Sequence, residues 1–190
     1  MRPTLKINMM PCKEQINIAL LGKTYFDNIL HVKKIKLGET NEVQESVHQL
    51  GGGHNIMRAN ISGLNITYFE CGQKYAFIIN ENEASQRTSF TYDGDTRNFK
   101  ADNIHDNEWL HVAYLDDLEI DALAAIDFRG KISLDFCKSA PREPFMDIME
   151  KSALIFDSRE RKQLYRNINL STPVILHDPL GCECIINQKV

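Results

Sequence analysis

The chain has 190 residues and a mass of 21.8 kDa, a size typical of one domain with a sizeable core. Its 43% hydrophobic and 25% charged residues exclude a disordered, collagen-like or coiled-coil chain, whose compositions depart strongly from these averages. The net charge of −4 and the pI near 5.9 provide no global electrostatic attraction for nucleic acid.

The sequence indicates neither a membrane-spanning segment nor a secretory signal. Apolar runs such as Ile18 to Leu21 are far too short to cross a bilayer, and polar residues interrupt the N-terminal segment MRPTLKINMMPCKEQ. We therefore expect a cytoplasmic protein with no membrane partner. The five cysteines contain no C-x-x-C pair and the histidines no H-x-x-x-H spacing, so reduced thiols and no metal site are expected.

The first half of the chain is rich in short extended runs. Apolar clustering, alternation and β-favouring side chains predict strands at these positions: Ile16–Gly22, Val43–Leu50, Asn65–Phe69, Tyr75–Asn80 and Arg87–Tyr92. A turn is expected at Leu37–Thr40, before the second of these strands.

Strands alternate with helices in the second half. Strands are predicted at Trp109–Tyr114, Lys131–Phe136, Ala153–Phe156, Val174–Leu176 and Cys182–Asn187, and helices at Leu118–Phe128, Pro144–Met149 and Ser158–Asn167. Such alternation produces parallel β-α-β units with right-handed crossovers. The sequence thus predicts a single α/β domain over residues 1–190, with three layers around a mostly parallel central sheet.

The glycine triplet Gly51-Gly52-Gly53 is the strongest local signal. It precedes a predicted helix from His54 to Ile61 that Gly63 would end. Glycines let backbone N–H groups approach a ligand closely at the start of a helix. The triplet is neither a P-loop nor a dinucleotide-binding motif, so a plain tight turn is the alternative interpretation.

The order of these elements resembles the N-terminal part of the ribokinase-like (PfkB-type) carbohydrate kinases. The resemblance is carried by a strand ending at Gly22 with Asp27 a few residues on, the turn at Leu37–Thr40, and the loop Gly51–Asn55 before a helix. The later strands at Trp109–Asp116 and Ile132–Phe136 continue it. It implies a ribokinase-like fold with a small β lid built from strands within residues 28–50 and 75–92.

The family resemblance implies ATP- and Mg²⁺-dependent phosphoryl transfer to a hydroxyl of a sugar or nucleoside. The substrate-binding residues it implies are Asp27, Gly51, Gly52, Gly53, Asn55 and Asp116. Each polar member has an alternative interpretation: Asp27 as a turn former, Asn55 as a helix N-cap, and Asp116 as a cap of the helix at Leu118. For Asp116 the cap is favoured.

Two departures from the family pattern concern catalysis. The family's Gly-Ala-Gly-Asp-like segment, which supplies the catalytic base, has no counterpart here, so the fold is expected to be incomplete at its C-terminus and inactive by itself. Ser158 and Arg161 stand where the family's Asn-x-x-Glu motif orders Mg²⁺ and phosphate. No residue is therefore assigned as catalytic or as a metal ligand. The alternative function is a non-catalytic sugar-binding or interaction module on the same scaffold.

Three further features allow more than one interpretation. The cations of the predicted helix at Ser158–Asn167 either meet phosphates or form a solvated face, the second being commoner. His111, within an apolar strand, is interpreted as a core histidine rather than a base. The resemblance also implies a homodimer that pairs through the lid strands.

Overall fold

The computed structural model describes residues 16–53, 55, 57, 64–94, 103–118, 128–139, 141–166 and 168–186. Their nine strands form one sheet. The strands are β1 (Asn17–Val32), β2 (Val43–Gly51), β3 (Asn65–Glu81), β4 (Gln86–Asp93), β5 (Trp109–Val112), β6 (Lys131–Asp135), β7 (Leu154–Ser158), β8 (Val174–Asp178) and β9 (Gly181–Ile185).

Most neighbouring strands of this sheet are parallel. The order is β4-β3-β1-β5-β6-β7-β8-β9, with β2 paired to β1. Strands β3, β1, β5, β6, β7 and β8 run parallel, whereas β2, β4 and β9 are antiparallel to their neighbours. The predicted α/β class with a mostly parallel central sheet is confirmed.

The described residues contain few helices. The α-helix α1 spans Met146–Lys151, as predicted for that region, and follows a 3-10 helix at Glu143–Phe145. The predicted helix after β7 is a 3-10 helix, Arg159–Tyr165, and shorter 3-10 turns lie at Ile104–Asp106 and Leu115–Asp117. The predicted helices at His54–Ile61 and Leu118–Phe128 lie largely outside the described residues. No described helix is long and apolar enough to span a membrane.

Two predicted strand boundaries are wrong. The runs at 65–69 and 75–80 belong to one continuous strand, β3, and β1 continues past Gly22 to Val32. The sequence is polar or contains glycine at both points where a strand end was predicted, between residues 69 and 75 and after Gly22. The parallel ladder nevertheless continues, with one register shift between Gly22 and Thr24, and Lys74 is accommodated because its ammonium group is paired with a buried carboxylate.

The outer halves of β1 and β3 extend beyond the central sheet and carry β2 and β4 on their flanks. We call this region the outer sheet; it comprises residues 25–32 of β1, β2, residues 74–81 of β3, and β4, in the order β2-β1-β3-β4. These strands match those predicted for the lid. Their action as a lid over a substrate remains a prediction.

The two faces of the central sheet differ in chemistry. One face carries Leu21, Val112, Leu134 and Leu176, which pack with Met149 and other apolar residues into the hydrophobic core. Side chains alternate between faces along a strand, so the opposite face of β5 and β6 presents Trp109, His111, Ser133 and Asp135. Among the described residues, the hydrophobic core cluster therefore lies on one side of the sheet, and β5 and β6 present more polar side chains on the other.

Candidate functional site

The candidate site lies where the parallel strands meet the outer sheet, and Asp27 and the glycine loop form its centre. Asp27 of β1 pairs in register with Gln49 of β2 and Ala76 of β3. A Cβ built on Gly51 would collide with the Asp27 carboxylate, so only glycine lets the loop backbone approach this group. The sequence-predicted Asp27 and Gly51 are thus direct neighbours.

The remaining glycines bring the loop close to the ends of β1 and β5. Gly52 has a positive φ of 90°, and a Cβ there would lie 2.7 Å from the carbonyl oxygen of Lys23. A Cβ on Gly53 would lie 2.8 Å from Cβ of Ala113, the residue after β5. Neither position accepts a side chain without a shift of its neighbours. This conformation holds the loop backbone against the strand ends, as a ligand-binding turn requires.

Asn55 stabilises the loop from within. Its side-chain Nδ2 donates a hydrogen bond of 2.9 Å to the carbonyl oxygen of Gly51. An N-cap side chain would instead accept a hydrogen bond through its oxygen from a backbone N–H further along the helix. Among the described residues, the amide oxygen of Asn55 makes no hydrogen bond.

The carboxylate of Asp27 has an unusual environment for a group that is only half-buried. Burial raises its pKa above the ordinary value, against the hydrogen bond from Gln49 and the positive charge of Arg87, which both lower it. Within the described residues it forms no salt bridge. Asp27 is therefore a carboxylate held in place by the sheet with acceptor capacity left for hydroxyl groups.

Asp117 forms a second cluster beside this loop, and sequence reasoning missed its partners. Its carboxylate is 2% exposed and accepts hydrogen bonds from the ammonium groups of Lys74 and Lys138 and from the hydroxyl of Tyr25; the Lys138 pair measures 2.6 Å. Burial by itself would raise the pKa of Asp117, but these hydrogen bonds outweigh it and hold the pKa below its usual range. The cluster joins β1, β3 and the loop after β6.

Asp116 is buried in the structure and has internal partners. Its two carboxylate oxygens accept hydrogen bonds from the backbone N–H groups of Cys137 and Lys138, at 2.9 and 2.7 Å. Arg142 lies 3.4 Å away, and the Asp116 side chain is 1% exposed. This geometry anchors the loop after β6. Both carboxylate oxygens already have partners within the chain, so Asp116 is not among the ligand contacts that we propose.

The end of β7 is occupied by an ion-paired network around Asp157. The Asp157 carboxylate is fully buried and pairs with Arg142 and Arg161, each at 2.7 Å, and Tyr165 donates a hydrogen bond of 2.6 Å to it. Burial and the negative charge of Asp157 raise the pKa of Tyr165, which keeps that hydroxyl protonated. The network is therefore a structural ion pair in the sheet.

The cations of the 3-10 helix at Arg159–Tyr165 are also mostly paired. Arg159 contacts Asp178 at 2.8 Å and Lys162 contacts Glu183 at 2.6 Å, while Arg161 belongs to the Asp157 network. These contacts support the interpretation of this helix as a charged surface rather than as a phosphate site.

A divalent metal does not fit Asp116, Asp117 or Asp157. Asp116, Asp117 and Asp157 are each engaged by lysine, arginine or backbone N–H groups, whereas Mg²⁺ needs carboxylates free to coordinate it. In the part of the chain that the structure describes, no cluster of three or more histidine, cysteine or acidic side chains is placed to hold a metal ion. Lys138, Arg142 and Arg161 are likewise already ion-paired, so these residues present no ready contact for the phosphates of ATP.

His111 agrees with its interpretation as a core histidine. Its ring is buried, Nδ1 lies 2.9 Å from Oγ of Ser133, and burial lowers its pKa to about 4. The ring is therefore neutral at pH 7.

Comparisons with known proteins support the fold. No protein-family model and no curated protein matches the chain. Among solved structures it is similar to the ribokinase of Thermotoga maritima, with a TM-score of 0.61 and 14% identity over 92% of this chain and 76% of that one. The ribokinase of Arabidopsis thaliana complexed with ribose and ATP gives a TM-score of 0.59 and 9% identity over 93% of this chain and 76% of that one.

A nucleoside kinase of Methanocaldococcus jannaschii is also similar, with a TM-score of 0.57 and 13% identity over 93% of this chain and 75% of that one. At these low identities the similarity shows the fold alone. The chain therefore has a ribokinase-like α/β fold, as the order of its sequence elements predicted.

Proposed function

We propose that the chain binds a sugar or nucleoside through its hydroxyl groups, at Asp27 and the glycine loop, and that the reaction served is phosphoryl transfer from ATP to one of those hydroxyls. The observation that carries the binding proposal is the approach of the Gly51 backbone to the Asp27 carboxylate. The Asp27 carboxylate offers hydrogen-bond acceptors at this position, which suits the hydroxyl groups of a polyol.

The structural relatives support the substrate class. They include a ribokinase complexed with ribose and ATP and a nucleoside kinase. ATP is proposed from that similarity. Mg²⁺ is proposed only as the ion that accompanies the ATP phosphates, not as a metal held by Asp116, Asp117 or Asp157, since phosphoryl transfer depends on neutralising charge at the moving phosphate. A cytoplasmic location also stays a prediction from the sequence.

A second candidate function is sugar binding without phosphoryl transfer. It is favoured by the internal pairing of Arg142 and Arg161 with Asp157, which commits the cations at the end of β7 to the fold. In that case the Asp27 site would recognise a polyol while the chain serves as a binding or interaction module. Both candidates share the same ligand contacts.

Ligand binding can be tested by thermal-shift and calorimetric titration of the chain with a panel of pentoses, hexoses and nucleosides, each with and without Mg-ATP. We expect saturable stabilisation by one ligand, and at least a tenfold loss of its affinity in Asp27→Asn, because the amide has lost the charge that strengthens its hydrogen bonds to hydroxyls. Measurement of the ADP that phosphoryl transfer releases separates the two candidate functions.

Two variants make the site assignment specific. Gly51→Ala should displace the Asp27 carboxylate and abolish binding while the acidic group itself is kept. Asp106→Asn, the same chemical change at an exposed carboxylate of a distant 3-10 turn, should leave affinity unchanged. If no panel member binds, or if Asp27→Asn binds as wild type does, the polyol site is wrong.

We also propose that the chain forms a homodimer through the outer sheet. Leu50, Phe77, Phe90 and Tyr92 are 44–60% exposed on one face of that sheet, where cross-strand pairing brings them together. Phe26, Tyr75 and Tyr92 form a ladder of stacked rings, with neighbouring centroids 5.2 and 5.1 Å apart. A contiguous apolar surface of this kind is typical of a protein interface.

A further inference from the structure

A cavity of about 360 Å³ lies on the polar face of the central sheet, and neither Asp27 nor the glycine loop lines it. Its lining includes Ile18, Trp109, His111, Asp135, Leu154 and Phe156. None of its lining residues belongs to the candidate site described above. The volume lies in the range of small-molecule pockets, which are mostly apolar with a few convergent polar groups.

A chain of hydrogen bonds organises one wall of this cavity. The indole Nε1–H of Trp109 donates to Oγ of Ser133 at 2.7 Å, and Oγ lies 2.9 Å from Nδ1 of His111. The Ser133 oxygen could accept from both rings, but its own hydrogen would then have no acceptor among the described residues; donation of that hydrogen to Nδ1 satisfies all three groups, and we adopt that tautomer. A neutral imidazole that accepts at Nδ1 carries its hydrogen on Nε2. His111 therefore retains one donor, Nε2–H, for which no described residue provides an acceptor.

Asp135 supplies a second polar group. It follows Ser133 by two positions in β6 and so lies on the same face of the sheet. No described side chain hydrogen-bonds to its carboxyl group. Burial and the nearby charges of Asp157 and Asp116 raise its pKa to about 7, so the protonated and ionised forms coexist at neutral pH.

The other walls are apolar and partly aromatic. Phe156 meets the ring of His111 edge to face, with centroids 6.1 Å apart, and Leu154, Ile18 and Met57 add apolar lining. The exposed His177 is the remaining polar residue of the lining. Aromatic walls favour a ligand ring, which can stack or pack edge-on against them. The neutral imidazole of His111 offers no charge to pair with an anion. A flat, uncharged ring with its own polar atoms therefore fits better than a sugar or a phosphate.

We propose that this cavity binds an uncharged planar nitrogen heterocycle, whose ring packs against Trp109 and Phe156 and whose ring nitrogens bond to His111 and Asp135. His111 Nε2–H donates to a ring nitrogen that bears no hydrogen. Asp135 accepts from a ring N–H. This site is independent of the proposed polyol site, because the two share no contact residue.

Trp109 makes the proposal directly testable, since it is the single tryptophan of the chain and gives one indole N–H resonance. The probe is benzimidazole, which carries both a ring N–H and a bare ring nitrogen, and the comparison compound is indene, a bicycle of the same shape without polar atoms. We expect benzimidazole to shift the Trp109 resonance in a saturable way, with indene binding at least tenfold more weakly.

Three variants test the location and the polar contacts. Leu154→Phe fills the cavity and should weaken benzimidazole binding at least tenfold, whereas Leu180→Phe, the same change at a residue 93% exposed, should not. His111→Phe keeps a ring but removes the donor, so its affinity for benzimidazole should fall to that for indene. Thermal melts of each variant verify folding.

The proposal is overturned by any of three results. The first is that benzimidazole fails to perturb the Trp109 resonance of the wild-type chain. The second is that indene binds as tightly as benzimidazole. The third is that the folded Leu154→Phe or His111→Phe variant retains wild-type affinity for benzimidazole. Loss of binding to a sugar in Asp27→Asn has no bearing on this cavity, so the two sites succeed or fail separately.

Discussion

Replacement of Arg142 by methionine should destabilise the protein strongly. The Arg142 side chain is fully buried and pairs with Asp157, itself fully buried, at 2.7 Å. Its guanidinium also stacks over the ring of Phe136, 3.9 Å from the centroid. Methionine keeps much of the packing volume but removes the charge. The result is a buried carboxylate that has lost one of its two cationic partners.

The size of the effect follows from what remains around Asp157. Removing one partner of a buried ion pair costs about 3–5 kcal/mol, because the other charge is left uncompensated. Here Arg161 and Tyr165 still contact the carboxylate, so we expect the lower end, about 3 kcal/mol.

Urea denaturation followed by circular dichroism measures these free energies of unfolding. Arg159→Met is the matched control, because that arginine pairs with Asp178 near the surface with its side chain 36% exposed; it should cost less than about 1 kcal/mol. If Arg142→Met costs no more than Arg159→Met, the Asp157 network does not stabilise the fold as argued.

The remaining predictions concern a buried acid and the outer sheet. Burial raises the pKa of Asp135 to about 7. The contribution of this protonated acid to the free energy of unfolding is therefore fully present below the pKa of Asp135 in the unfolded chain, and it is lost as pH rises through 7. Asp135→Asn, which mimics the protonated acid, should therefore gain about 2–4 kcal/mol relative to wild type between pH 4 and 8 in urea titrations; a constant difference would contradict the burial of its charge. Phe90→Glu should weaken self-association in sedimentation velocity experiments, whereas Ser89→Glu, on the opposite face of β4, should not. A wild-type chain that stays monomeric well above micromolar concentration would contradict the dimer.

The fold could be predicted largely from local sequence patterns. Short apolar runs such as 16–22 and 131–136 are strands in the structure because they bury one or both faces in a sheet. The wrong boundaries lie where a polar residue interrupts a strand. Lys74 lies in the polar gap between the two predicted runs, 65–69 and 75–80, but its burial depends on Asp117, which is 43 positions away in the sequence.

The candidate site was predictable only in part. Asp27, the glycines and Asn55 could be found because they lie within short motifs whose spacing carries information. Tyr25, Lys74 and Lys138 could not, because each is an isolated polar residue that becomes a partner of Asp117 only through the register of separate strands. The sole local signal was the pair Asp116-Asp117 directly after a strand, which also fits a helix cap.

The sequence by itself determined the α/β class, the order of most strands and the glycine loop, since these depend on periodicity and on residues that only certain backbone conformations accept. The tertiary structure decided which carboxylates remain available. The sequence does not distinguish the carboxylates of Asp116, Asp117 and Asp27. In the structure, the first two are buried against backbone N–H groups and lysines, while Asp27 keeps acceptor capacity beside Gly51. The free energy of a buried charge depends on the groups around it, and only the packed chain brings those groups together.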